Sequence, residues 1–143
     1  MMTFDKPSEY YQDLSRLRKI PLVLVVDDDP DNLFFIACII DALNLKCICA
    51  QTGGSAIELA INHQPDLILL DMVMPEIDGM EITRRLKNNS FSYNIPILAV
   101  TGLTFPKHKE AMKKAGCDDY ISKPCSIDEL ELKISYFLNL CLI

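Results

Sequence analysis

No apolar stretch in the chain is longer than the eight residues of Leu33–Ile40, whereas a membrane-spanning helix needs roughly 20. No membrane segment is therefore expected. The first twenty residues, MMTFDKPSEYYQDLSRLRKI, contain no apolar h-region, so a secretory leader is not expected and a cytoplasmic location is. Histidine is scarce. His63 and His108 are the only two, neither with a cysteine at ligand spacing, which argues against zinc. Cys38, Cys47, Cys49, Cys117, Cys125 and Cys141 are scattered without a C-x-x-C pair. As small hydrophobes they predict reduced, buried thiols. Basic charge is also short: 14 Lys and Arg against 20 Asp and Glu give a net charge of −6. Neutralisation of phosphates by Lys and Arg dominates nucleic-acid affinity, so direct binding of DNA or RNA is disfavoured.

What is present is apolar sequence in a regular alternation. Half of the 143 residues are hydrophobic, enough for one core and too many for a disordered chain. Residues 1–20 carry a net +1 and read as an N-terminal extension, leaving −7 on a domain spanning 21–143. From Leu22 onward, short Val- and Ile-rich runs predict strands buried on both faces: Leu22–Val26, Asp66–Leu70 and Ile97–Val100. Lys46–Ala50 and Asp119–Ser122 predict two further strands. Apolar residues at helical spacing predict helices over about 30–44, 54–63, 79–89 and 106–115. Ile127, Leu130, Ile134, Phe137, Leu138 and Cys141 trace a last helical stripe toward the C-terminus. Five strands, each followed by a helix, predict a doubly wound α/β fold: a parallel sheet with helices on both faces.

In such sheets ligands sit beyond the carboxyl ends of the strands. The chain puts Asp27-Asp28, Asp71, Thr101 and Lys123 there. Converging carboxylates repel one another, and a divalent cation and an ammonium can each offset that. An all-oxygen acidic site suits Mg²⁺, Lys123 supplies fixed positive charge, and Thr101 supplies a hydroxyl. Together they predict a phosphoryl-transfer pocket, where positioning and charge neutralisation do most of the chemistry. Each residue also has a plainer reading. An acid before a helix is commonly an N-cap, a threonine at a strand end a turn residue, a lone lysine a solvated charge. The joint placement at four strand ends carries the inference.

Here the sequence resembles the CheY-like receiver domain of two-component response regulators. The resemblance rests on Val25-Val26-Asp27-Asp28-Asp29-Pro30, on Leu69-Leu70-Asp71-Met72-Val73-Met74-Pro75-Glu76-Ile77-Asp78-Gly79, on Val100-Thr101-Gly102 and on Tyr120-Ile121-Ser122-Lys123-Pro124. It implies a flavodoxin-like fold of strand order 2-1-3-4-5. It also implies that Asp71 accepts a phosphoryl group from a histidine kinase or phosphotransfer protein. Asp27, Asp28, Asp71 and the backbone carbonyl of Val73 would hold Mg²⁺. Lys123 would pair with the phosphoryl group, Thr101 would be the switch hydroxyl, Tyr120 the aromatic that follows it, and Lys123–Pro124 a cis bond. In that family the positions matched by Val73 and Leu103 flank the path of the hydrolytic water. Both are apolar here, which predicts slow dephosphorylation.

The expected output is protein–protein contact through the fourth helix, fifth strand and fifth helix, with no output domain after the last helix. Lys107, His108, Lys109, Lys113 and Lys114 make that fourth helix basic, a solvated face first and a docking face second. The apolar end, Ile134–Ile143, reads as core, with a homodimer contact or a cover for residues 1–20 as alternatives. Tyr10, Tyr11, Leu14, Leu17 and Ile20 suggest a helical stripe starting near Ser8. The expectation is a signalling protein, not an enzyme. The competing reading is a haloacid-dehalogenase-like phosphatase with Asp27 as nucleophile and Asp29 two positions on. Asp31 stands where that family has Thr or Val, and the chain is short for a cap. A flavodoxin-like FMN binder is weaker, because the acidic first loop would repel the flavin phosphate.

Overall fold

Five strand–helix units alternate in the computed structural model, which describes residues 19–140. They are β1 (Leu22–Val26), α1 (Pro30–Ala42), β2 (Lys46–Ala50), α2 (Gly53–His63), β3 (Leu67–Leu70), α3 (Gly79–Lys87), β4 (Ile97–Thr101), α4 (Pro106–Ala115), β5 (Asp119–Ser122) and α5 (Ile127–Leu138). All five strands are parallel, in the order β2-β1-β3-β4-β5. This is the expected doubly wound fold.

Strand side chains point alternately to opposite faces, so neighbours in sequence feed different cores. Leu24, Val26, Ile68, Leu70 and Ile97 pack with Ala56 and Ala60 of α2, Ile82 and Leu86 of α3 and Met112 of α4. Val23, Val25, Leu67, Leu69 and Leu98 pack with Ile36 and Ile40 of α1 and Leu130 and Ile134 of α5. Burial on both faces explains why these strands read as unbroken apolar runs. The helix starts are pinned at the carboxyl edge of the sheet. Asp29, Thr52, Asp78 and Ser126 each accept a backbone N–H two or three residues on. α4 alone starts without a side-chain cap, on Pro106 at its first turn.

The element ends differ from the sequence expectation for local reasons. β3 begins at Leu67, and just before it Asp66 is tied to β1 twice: its N–H donates to Leu22 O and its side chain accepts the Leu22 N–H, both at 2.8 Å. α3 stops at Lys87, not near 89. Beyond it the Asn89 carboxamide accepts Phe91 N–H and the Ser92 hydroxyl donates to Leu86 O at 2.7 Å, which folds the chain into a turn. α5 does not continue to the C-terminus but closes at Leu138, where Asn139 takes φ 54° as a left-handed cap. The stripe anticipated over Tyr10–Leu17, and Cys141–Ile143, lie outside the described residues.

The expectation of buried thiols is corrected. Cys38 and Cys49 are exposed, and Cys47, Cys117 and Cys125 are only half-buried. Cys47 and Cys49 lie on β2, an edge strand with one neighbour. No helix among the described residues is long and apolar enough to cross a membrane.

Candidate functional site

The carboxyl ends of β1 and β3, which are adjacent, bring Asp27 and Asp71 side by side. Each is fixed through its backbone: Asp27 N–H donates to Ala50 O at 3.1 Å and Asp71 N–H to Val26 O at 3.0 Å. Both side chains are nearly sequestered, the residues being 2% and 8% exposed, whereas Asp28 is exposed. One oxygen from each of Asp27, Asp28 and Asp71 can be chosen so that all three lie within 4.8 Å of one another. The sequence places four acids between 27 and 31, and the structure divides their duties. Asp29 caps α1 by accepting Asp31 N–H at 2.9 Å. Asp27 Oδ1 accepts Asp29 N–H at 2.9 Å, leaving Oδ2 to face the pocket.

Lys123 enters from the end of β5. Its Nζ donates to Asp27 Oδ2 at 3.0 Å and to Asp71 Oδ2 at 3.2 Å. Burial works against its charge, but the Asp27 and Asp71 carboxylates outweigh it and hold the ammonium above the ordinary lysine range. Asp71 is shifted upward as well. Burial is the main cause, and the Val73 N–H and the Lys123 charge oppose it only in part. Three carboxylates against one ammonium leave two formal negative charges uncompensated. A divalent cation meets that deficit. The donor set is all oxygen, part buried and part solvent-facing, which fits Mg²⁺ with retained waters and does not fit a thiophilic metal.

The loop between β3 and α3 carries Asp71 and is tied back on itself. Val73 N–H donates to Asp71 Oδ1 at 3.1 Å, and Gly79 N–H to Met72 O at 3.0 Å. A Cβ on Gly79 would sit 2.5 Å from Met72 Cα and 2.8 Å from Asp71 O. Gly79 therefore permits close approach of α3 to the aspartate's own backbone. That role is not readable from the sequence, because contact distances leave no trace in composition.

Thr101, at the end of β4, is fully buried, and its Oγ1 accepts Leu103 N–H at 3.2 Å. Its carbonyl accepts Lys123 N–H at 2.8 Å, which links the two strand ends. Tyr120 is half-buried with the Lys109 ammonium 4.9 Å from its ring centroid, a cation–π contact between β5 and α4. Lys123–Pro124 is cis. Val73 is 59% exposed, while Leu103 packs against the α2–α4 core. A cleft of about 470 Å³ opens beside Lys123, lined by Asn32, Phe35, Val100, Pro124 and Cys125.

Comparison with known proteins agrees with this geometry. A family model for the response regulator receiver domain matches residues 23–135. The polar-differentiation response regulator DivK of Brucella ovis is 35% identical over 117 residues, covering 82% of this chain and 95% of that protein. The receiver domain of a Pseudomonas aeruginosa sensor histidine kinase superposes with a TM-score of 0.78 at 26% identity, over 85% of this chain and 99% of the other. That structure holds a magnesium ion coordinated in its active-site cleft. The chemotaxis response regulator CheY4 of Vibrio cholerae superposes with a TM-score of 0.79 at 24% identity, over 83% of this chain and 99% of the other, and so shares the fold.

Proposed function

The chain belongs to the response regulator receiver family and to two-component signalling, and from that premise we propose that Asp71 is its phosphoacceptor. One observation carries the reading. A single ammonium, Lys123, bridges Asp71 and Asp27 at hydrogen-bond distance, with Asp28 in the same cluster. The residues 21–143 are the receiver and 1–20 an extension to it.

The phosphoryl donor is a phosphohistidine of a kinase or phosphotransfer protein. An Asp71 carboxylate oxygen attacks phosphorus, the P–N bond breaks, and the departing imidazole keeps the electron pair and takes up a proton. Asp27, Asp28, Asp71 and the Val73 carbonyl would hold Mg²⁺, which when bound would supply neutralisation of the charge that builds up in the pocket. Lys123 keeps its charge throughout and follows the new oxygens, since charge-assisted contacts are the strong ones. The phosphoryl group brings nearly two negative charges. Thr101 Oγ1 turns from Leu103 N–H to donate to it, and Tyr120 moves into the space vacated. Phosphorylation then biases α4 by its differential interaction with two states. The output surface is α4–β5–α5, where Ile127, Leu132 and Tyr136 of α5 and Lys107, Lys113 and Lys114 of α4 are exposed. A downstream protein or a second copy of the chain docks there, in the cytoplasm.

The phosphatase alternative needs Asp27 as nucleophile and Asp29 as its acid partner, and Asp29 is already engaged in capping α1. Incubation with Mg²⁺ and a small acyl phosphate, followed by mapping of the labelled aspartate, tests the choice. Label on Asp71 is the expected result, and label on Asp27 would replace the receiver chemistry with that of a phosphatase.

A further inference from the structure

A second cluster of reactive side chains lies on the opposite edge of the sheet from β5. β2 pairs only with β1 and carries Cys47 and Cys49 two positions apart. Strand periodicity sends both thiols to one face and Ile48 to the other. Accordingly Ile48 packs with the α2–α4 core and Cys47 with the α1–α5 core. The two sulfurs are 3.8 Å apart, with Cys47 half-buried and Cys49 exposed. The pair thus has an apolar floor and an open mouth. We propose that Cys47 and Cys49 are a two-thiolate chelating site for a soft cation, Cu(I).

The spacing separates two fates for such a pair. A disulfide needs Cβ atoms about 3.5–4.5 Å apart, but residues two apart in a strand are separated by two rises, about 6.6 Å. Closing that bond would buckle β2 and break its ladder with β1. A metal ion about 2.3 Å from each sulfur spans any gap up to roughly 4.6 Å with no backbone movement. The donors then select the ion. Thiolate sulfur favours soft cations such as Cu(I) and also takes zinc. Zinc asks for four ligands, and among the described residues Asp27, Asp28 and Asp71 are the only group of three or more potential ligands. Cu(I) is satisfied by two thiolates. Binding forms two Cu–S bonds and releases two protons, with no change in oxidation state. Burial, then the charge and hydrogen bond of Cys49, pushes the Cys47 thiol up to about 12. Cys47 therefore keeps its proton near neutral pH in the free protein and exchanges it for metal on binding.

The full chain, reduced and kept anaerobic, is titrated with Cu(I) against the chromophoric chelator bicinchoninate. The expected result is one Cu(I) held per chain. Cys47→Ser and Cys49→Ser should each weaken it about a hundredfold, because each removes the chelate's second arm. Cys38→Ser and Cys125→Ser should leave it unchanged. Labelling of Asp71 by a small acyl phosphate in the same variants checks that the fold persists. Equal retention in either β2 variant, or no metal held by the native chain, would overturn the proposal.

Discussion

Asp71 is a residue whose chemistry and stability pull against each other. Its carboxyl is shifted upward, chiefly by burial, so the native state binds that proton more readily than the unfolded chain. Stability therefore falls as pH rises from the ordinary carboxylate range through the raised native value, and the cost is complete above it. Asp71→Asn should stabilise the metal-free protein at pH 7 by about 1 kcal/mol, with the gain shrinking toward pH 4. Urea unfolding in EDTA across that range measures it. A gain independent of pH would mean that ionisation is not the cause. Lys123 has the opposite sign: raised above the usual lysine value, it contributes stability that is lost only as alkaline pH strips its proton. Val73 poses a kinetic question. It is exposed two residues after Asp71 and offers the hydrolytic water no hydrogen bond from its side chain. Val73→Asn, alone and with Leu103→Glu, should accelerate loss of label from Asp71 by roughly tenfold or more. An unchanged half-life in the double variant would end the slow-dephosphorylation reading. Leu103 packs on the core, so the single variant is the cleaner of the two.

At the scale of elements, two glycines at helix starts make a matched pair. Gly79 opens α3 against backbone, with Met72 Cα and Asp71 O in the way of any Cβ, whereas Gly54 in α2 has nothing within 4 Å. Gly79→Ala should cost about 1–3 kcal/mol by overpacking and also slow the labelling of Asp71, whose carbonyl must shift. Gly54→Ala should stabilise by about 0.4–1 kcal/mol through reduced freedom of the unfolded chain and leave labelling alone. Chemical unfolding of both reads the signs, and matching signs would refute the contact argument. The same comparison marks what the sequence could carry. The strands were legible because burial on both faces writes an unbroken apolar run, and the strand ends delivered Asp27, Asp71, Thr101 and Lys123 together. Element ends were less so, since Asp66, Asn89 and Asn139 act through single side-chain or left-handed backbone geometries that periodicity does not encode. Nor does sequence distinguish Asp29, a cap, from Asp28, a pocket acid. Thiol burial was not legible either, since the small apolar character of cysteine does not say which side of an element it takes, and Cys38 on α1 and Cys49 on β2 are both exposed.

For the molecule as a whole, the acidity is concentrated where it costs most. The chain's net charge is −6, and three of its carboxylates face one another with one ammonium between two of them. Any cation that binds the native pocket and not the unfolded chain raises stability by mass action, by about 2.7 kcal/mol at a hundred times its dissociation constant. For a chain of this size that corresponds to a rise in melting temperature on the order of 8 °C. Mg²⁺ should produce it saturably, whereas NaCl at matched ionic strength should not, because diffuse screening relieves exposed charges far more than sequestered ones. Asp28→Ala should abolish most of the shift while leaving the metal-free melting temperature nearly unchanged. Asp28 is exposed, so losing it leaves no cavity. Asp71→Asn should weaken the shift from the other side, starting from a higher baseline. Thermal melts of the three proteins with EDTA, Mg²⁺ and NaCl distinguish the possibilities. A shift that survives in Asp28→Ala, or that NaCl reproduces, would assign the effect to overall charge and remove the metal from the pocket.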